Sequence, residues 1–177
     1  MVKKILLAIL GVIILLVIVG FFLPGTITVS RSAVVNAPAQ SSFEEVNDLK
    51  QWEKWSYWNT LDPEVKMTYG DTTAGVGAWY KWDGPELGKG KVKITESVPN
   101  SSVKVDLDFM EQGTAKAWYT FEPEGDNTKV TMGFSSEFGY NPFMRWIGAT
   151  IFPSEMNKAF DYNLAKIKEI AEAKPKQ

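Results

Sequence analysis

Tyr80, Tyr119, Glu96 and Arg145 are the residues whose types best suit proton handling or ligand orientation in this 177-residue chain. A carboxylate next to a phenol can act as base and proton donor, and either Glu96 or Arg145 could be a polar group inside a pocket. The competing reading of both is surface charge, since Glu and Arg are seldom buried. Asp106 and Asp108 alternate with apolar neighbours and belong to a solvated strand face; Glu111 lies nearby. The chain has no histidine and no cysteine. That excludes a Ser-His-Asp triad, imidazole and thiolate metal ligands, disulfides and iron–sulfur clusters. No calcium loop or phosphate-binding loop occurs, and no cofactor is expected. The formal net charge of −2 gives no footprint for nucleic-acid binding.

The apolar residues say more. Tyr80, Trp82, Ile94, Leu107, Phe109, Ala117, Tyr119, Phe121, Met132 and Phe134 fall on inward positions of successive strands; Trp146, Met156 and Phe160 fall on helices facing them. Together they line either a ligand cavity or a solid core. Ala115 and Ala117 are small and leave room. Tyr80, Tyr119 and the Trp82 indole N–H could supply the few polar groups that orient an apolar ligand. Trp52, Trp55 and Trp58 form either the rim of the cavity or packing for two short helices.

These residues need elements to position them. Residues 26–36 are rich in β-branched side chains and read as a strand that Pro38 ends. Phe43 and Val46 mark a first short helix, Trp52 and Trp55 a second. From Val65 to Phe138 the signal is β, and six alternating runs follow one another. The run Val76, Ala78, Tyr80, Trp82 is one, and Val103, Val105, Leu107, Phe109 is the cleanest. Tight turns between them predict an antiparallel meander. Asn141-Pro142 predicts a helix start, with Phe143, Trp146 and Ile147 on one face. After Pro153, the recurrence of Met156, Phe160, Leu164, Ile167 and Ala171 predicts a long amphipathic helix. The expected fold is α+β: a curved antiparallel sheet wrapped around the C-terminal helix.

Ahead of this, residues 5–23 hold 19 consecutive residues without a polar or charged side chain. As a helix they span about 28 Å, close to the hydrocarbon thickness of a bilayer. A cleavable signal peptide has a shorter apolar region and a small-x-small cleavage site, which Phe21-Phe22-Leu23-Pro24-Gly25 lacks. The expectation is an uncleaved anchor in residues 1–25 and one domain in residues 26–174. Lys3 and Lys4 before the run predict a cytoplasmic N-terminus. Without those two lysines the formal charge goes from −2 to −4.

Four stretches resemble the SRPBCC (START/Bet v 1-like) superfamily, in particular its polyketide cyclase/dehydrase-like bacterial branch. They are residues 30–38 (SRSAVVNAP), residues 52–58 (WEKWSYW) followed by Asp62-Pro63, residues 75–84 (GVGAWYKWDG) with Gly88-Lys89-Gly90, and the terminal helix over residues 151–170. Tyr57 departs from the branch's usual proline, which bears on the local turn. The resemblance implies a helix-grip fold and a cavity for an apolar small molecule or lipid beneath the long helix. It transfers no catalytic set. The first functional expectation is a binding module on the outer face of a bacterial inner membrane, on the periplasmic or extracellular side, anchored through residues 5–23. The alternative is a cyclase- or dehydratase-like enzyme using carboxylate and tyrosine groups in the cavity. The sequence names no protein partner.

Overall fold

Alternation of apolar and polar side chains builds the sheet, in a computed structural model that describes residues 1–174. Its strands are β1 (Thr26–Val35), β2 (Lys66–Tyr69), β3 (Trp79–Gly84), β4 (Gly88–Val98), β5 (Ser102–Asp108), β6 (Thr114–Glu124) and β7 (Asn127–Glu137). All neighbours pair antiparallel, in the order β1-β7-β6-β5-β4-β3-β2. On β5, Val103 and Val105 are buried while Lys104 and Asp106 are exposed. Register carries that pattern across the sheet. Val105 lies opposite Ala117, Ala117 opposite Phe134, and Tyr119 opposite Met132, so inward side chains form continuous rows. A bulge in β4 between Ile94 and Glu96 interrupts the register with β5, a device that bends a strand and increases its twist.

The concave face is gripped by α6 (Phe152–Glu172), a helix of 21 residues. Its buried positions, Met156, Ala159, Phe160, Asn163, Leu164, Ile167 and Ala171, form one stripe at helical spacing. Three short helices, α2 (Ala39–Asn47), α3 (Trp52–Trp55) and α4 (Trp58–Leu61), connect β1 to β2; α2 packs against α6 and strands β5 to β7, and α3 against α6. This is a helix-grip fold.

α1 (Val2–Phe22) is long and apolar enough to cross a membrane, and only Gly20 of it is buried. α5 (Pro142–Thr150) starts as its sequence predicts. Asn141 Oδ1 accepts from the backbone N–H groups of Phe143 and Met144, and Pro142 occupies the first turn.

Two expectations need correction. Val76 is not in a strand: β3 begins at Trp79, and Val76 is exposed between Gly75 (φ 76°) and Gly77 (φ 91°). Two left-handed glycines turn the chain there, a conformation that L side chains resist. The second concerns α5, which packs beside α1. Trp146 donates its indole N–H to the Leu16 carbonyl at 3.0 Å, so it faces that helix and not the sheet's interior.

Candidate functional site

Between α6 and the sheet lies a cavity of about 330 Å³. The sheet contributes Tyr80 and Trp82 from β3, Leu107 from β5, Ala117 and Tyr119 from β6, and Met132 and Phe134 from β7; Phe109 follows directly after β5. Met156 and Phe160 of α6 cover them. Trp52, Trp55 and Trp58 stand at one side.

Three residues expected at this wall lie elsewhere. Phe121 packs edge-on against Phe43 of α2, with ring centroids 5.8 Å apart, because α2 fills that end of the concave face. Ile94 is fully buried in core packing outside the cavity wall, where the β4 bulge begins. Trp146 faces α1, as described. Ala115 is buried on the same inward face as Ala117 but outside the cavity wall, and it borders a separate depression of about 430 Å³ lined mostly by polar and charged side chains. There Lys91 pairs across strands with Asp108, and Lys93 and Lys116 with Asp106. Opposite charges facing each other in this way account for that surface without a ligand.

Aromatic packing sets the cavity's shape. Trp52 and Trp55 have centroids 4.9 Å apart; Trp52 also meets Tyr119 at 5.6 Å and Tyr80 at 6.2 Å, both edge-on. Each indole N–H of this pair is tied down, Trp52 to the Val46 carbonyl (2.8 Å) and Trp55 to the Glu45 carbonyl (3.1 Å). These two tryptophans are therefore packed wall. Trp58 is 38% exposed and sits at the edge. The Trp82 indole N–H donates to the Leu87 carbonyl at 3.4 Å, so it is not free for a ligand. Its ring lies flat over Gly90, where a Cβ would come within 2.0 Å of it; only glycine permits that approach.

Few polar groups remain to face the cavity. Tyr80 and Tyr119 are buried, and neither hydroxyl has a hydrogen-bond partner among the described residues. Burial pushes both phenols well above the usual tyrosine range, and Tyr80 adds to the effect on Tyr119. Both stay neutral at physiological pH, as donors or acceptors of hydrogen bonds. Asn163 of α6 is the third group. Its Oδ1 accepts from the Tyr57 backbone N–H at 2.7 Å, which leaves its amide N–H groups without a partner among the described residues. Sequence reasoning missed Asn163. The available signal was a polar residue inside the apolar stripe of α6.

The carboxylates and the arginine considered for acid–base work lie away from the two phenols. Glu96 pairs with Lys104 at 2.9 Å on the surface. Arg145 donates to the carbonyls of Gly139, Phe21 and Leu23 at 2.7, 2.7 and 3.1 Å. Among the described residues, exposed Glu86 is the one carboxylate lining the cavity. Asp62, read from sequence only as part of the Asp62-Pro63 stretch, is 1% exposed. Its Oδ2 accepts from the backbone N–H groups of Glu86 and Leu87, both at 3.0 Å, and so fixes the β3–β4 hairpin at the cavity's edge. No group of three or more acidic side chains able to hold a metal ion occurs among the described residues.

Known structures share this architecture. Protein CV1439 from Chromobacterium violaceum superposes with a TM-score of 0.59 at 13% identity, covering 83% of this chain and 98% of that one. Ara h 8.0201 gives 0.57 at 11% identity, covering 85% and 100%. DynU16, a putative protein in the dynemicin biosynthetic locus, gives 0.58 at 14% identity, covering 82% of this chain and 47% of its own. At these identities the likeness concerns the fold alone. No curated protein matches the sequence. Residues 26–172, from the start of β1 to the end of α6, match the family described as polyketide cyclase / dehydrase and lipid transport, and the chain belongs to that family, within the SRPBCC superfamily.

Proposed function

We propose that the cavity holds an apolar small molecule or lipid bearing one polar end, and that α1 tethers the domain to a membrane. The observation that carries this reading is the contrast within the cavity: an aromatic and aliphatic wall with the Tyr80 and Tyr119 hydroxyls and the Asn163 amide N–H groups left without partners among the described residues. These residues line the open space of the cavity, so a ligand carbonyl or hydroxyl is their natural complement. A volume of about 330 Å³ falls at the small end of the roughly 300–1,000 Å³ range of small-molecule sites. Family membership supports a hydrophobic ligand, and α1 supports the tether. With Lys3 and Lys4 holding the N-terminus in the cytoplasm, the domain sits on the outer side of the inner membrane.

A cyclase-type reaction is the second reading. It rests on the same phenols, which could donate protons to a substrate carbonyl. Its weak point is the base, since Glu86 is the one carboxylate at the wall among the described residues.

Photo-crosslinking tests the binding reading. The full chain in vesicles is exposed to a diazirine fatty acid and the labelled peptides are mapped. Labels near Tyr80, Tyr119 and Asn163 are expected, with loss on Ala117→Leu. Labels confined to α1 would overturn it. For orientation, a C-terminal alkaline phosphatase fusion should be active, and an inactive fusion would reverse the assignment.

A further inference from the structure

The segment from Tyr140 to Phe152 contains one charged residue, Arg145. Around it, Tyr140 is 85% exposed, Phe143 69%, Met144 40% and Ile151 59%. Phe143, Met144, Ile147 and the C-cap Ile151 fall on one side of α5, and Tyr140, just before the helix, has its ring against the Arg145 guanidinium at 5.4 Å. A stripe of large apolar side chains facing outward needs an explanation.

The attachment of α5 to α1 supplies it. Gly20 has no side chain, and α5 uses the gap: a Cβ on Gly20 would lie 2.7 Å from the Cβ of Pro142. Small residues allow this kind of close helix approach. The Leu16 carbonyl, one turn before Gly20, is thereby open to the Trp146 indole N–H at 3.0 Å. Arg145 reaches the other way, to the Phe21 and Leu23 carbonyls at the end of α1. Leu16 lies seven residues before Leu23, so the indole contact is about 10 Å down the helix from its end.

We propose that α5 is embedded in the leaflet at the C-terminal end of α1, with the Phe143–Ile151 stripe among the acyl chains. The proposal rests on α1 spanning the membrane, as read above. Given that, the hydrogen bonds to Leu16, Phe21 and Leu23 leave α5 no other depth. The chemistry of the helix agrees. Its one indole N–H already has an acceptor, as an apolar medium demands, and its one cation is directed to the interfacial end of α1, as a snorkelling arginine would be. Amphipathic helices at membrane surfaces bury their apolar face by roughly 5–10 Å, the depth set by Trp146. The domain is then held by two adjacent elements, which fixes its tilt on the membrane as a single tether would not.

The chain has no native cysteine, so single-cysteine variants report one site each. Phe143→Cys and Ile151→Cys carry a nitrobenzoxadiazole label in the full chain, reconstituted in vesicles of phosphatidylcholine and phosphatidylglycerol. Val12→Cys reports on α1, and Glu124→Cys reports on the exposed β6–β7 hairpin. Nitroxide-labelled lipid should quench most of the emission at Phe143 and Ile151, as at Val12, and leave Glu124 unquenched; aqueous iodide should do the reverse. Iodide quenching at Phe143 and Ile151 with Val12 still lipid-quenched would overturn the embedding of α5 alone. Iodide quenching at Val12 as well would overturn the tether and this proposal with it.

Discussion

Substituting leucine for Ala117 separates a cavity from a solid core by the sign of its effect. Ala117 sits on β6 between Val105 and Phe134, at the wall of the roughly 330 Å³ space. Leucine adds three carbons there. Each apolar carbon moved from water into a dry interior contributes about 0.8 kcal/mol, so filling empty space stabilises by up to about 2 kcal/mol. The same change in a close-packed core forces neighbours off their rotamers and destabilises by roughly 1–3 kcal/mol. The two outcomes differ in sign, and the gap is several times the usual error of denaturation data. The assay is guanidinium denaturation of the full chain in detergent micelles, followed by tryptophan fluorescence, with midpoint and slope both recorded. A raised midpoint at unchanged slope, together with weaker crosslinking by the diazirine fatty acid, is the expected result. A midpoint lowered by an amount equivalent to 1 kcal/mol or more would show that no usable space exists, and the binding reading would lose its foundation.

Other consequences follow from the same contacts. Burial raises the pKa of Tyr80 and Tyr119, so the folded chain keeps protons that the unfolded chain releases above about pH 10. Their contribution is fully present below that pH and is lost as pH rises beyond it. Tyr119→Phe should flatten the alkaline decline by about 1.4 kcal/mol per pH unit, one proton's worth, in urea midpoints taken at stepped pH; an unchanged slope contradicts the burial of this phenol. Asp62→Ala should cost roughly 2–4 kcal/mol, because the Glu86 and Leu87 amides lose a charged acceptor, and faster amide hydrogen exchange in the hairpin would be the direct sign. Ile167→Ala, at a position with no exposure, should cost about 2–5 kcal/mol by the same denaturation assay. Gly20→Leu should separate α5 from α1, since even a Cβ lands on Pro142. Its expected mark is a change in Trp146 fluorescence at near-normal thermal stability of the sheet.

Much of this architecture was legible because most strands are buried on one side only. Val103, Val105 and Leu107 alternate with Lys104 and Asp106 since the concave face is apolar and the convex face meets water. The stripe on α6 was legible for the same reason. Legibility failed where partners are distant and chemically alike. Trp146 looks the same in sequence whether α5 covers the sheet or α1, because an apolar side chain does not name what it touches. Val76 continued an alternation by accident, and the glycines on either side of it were the better signal. Phe121 has the inward position of a cavity residue, yet α2 occupies the space above it. The burial of Asp62 and Asn163 was not legible because polar residues are mostly exposed. Only their backbone partners, far along the chain, explain their burial.

The most direct test of the central claim is native mass spectrometry of the full chain extracted from its own membrane in mild detergent. The account predicts a bound species of defined mass at up to one per chain, recovered as an apolar molecule in organic extract and depleted in Ala117→Leu. Protein free of any bound species, with the variant indistinguishable from the parent, would contradict it.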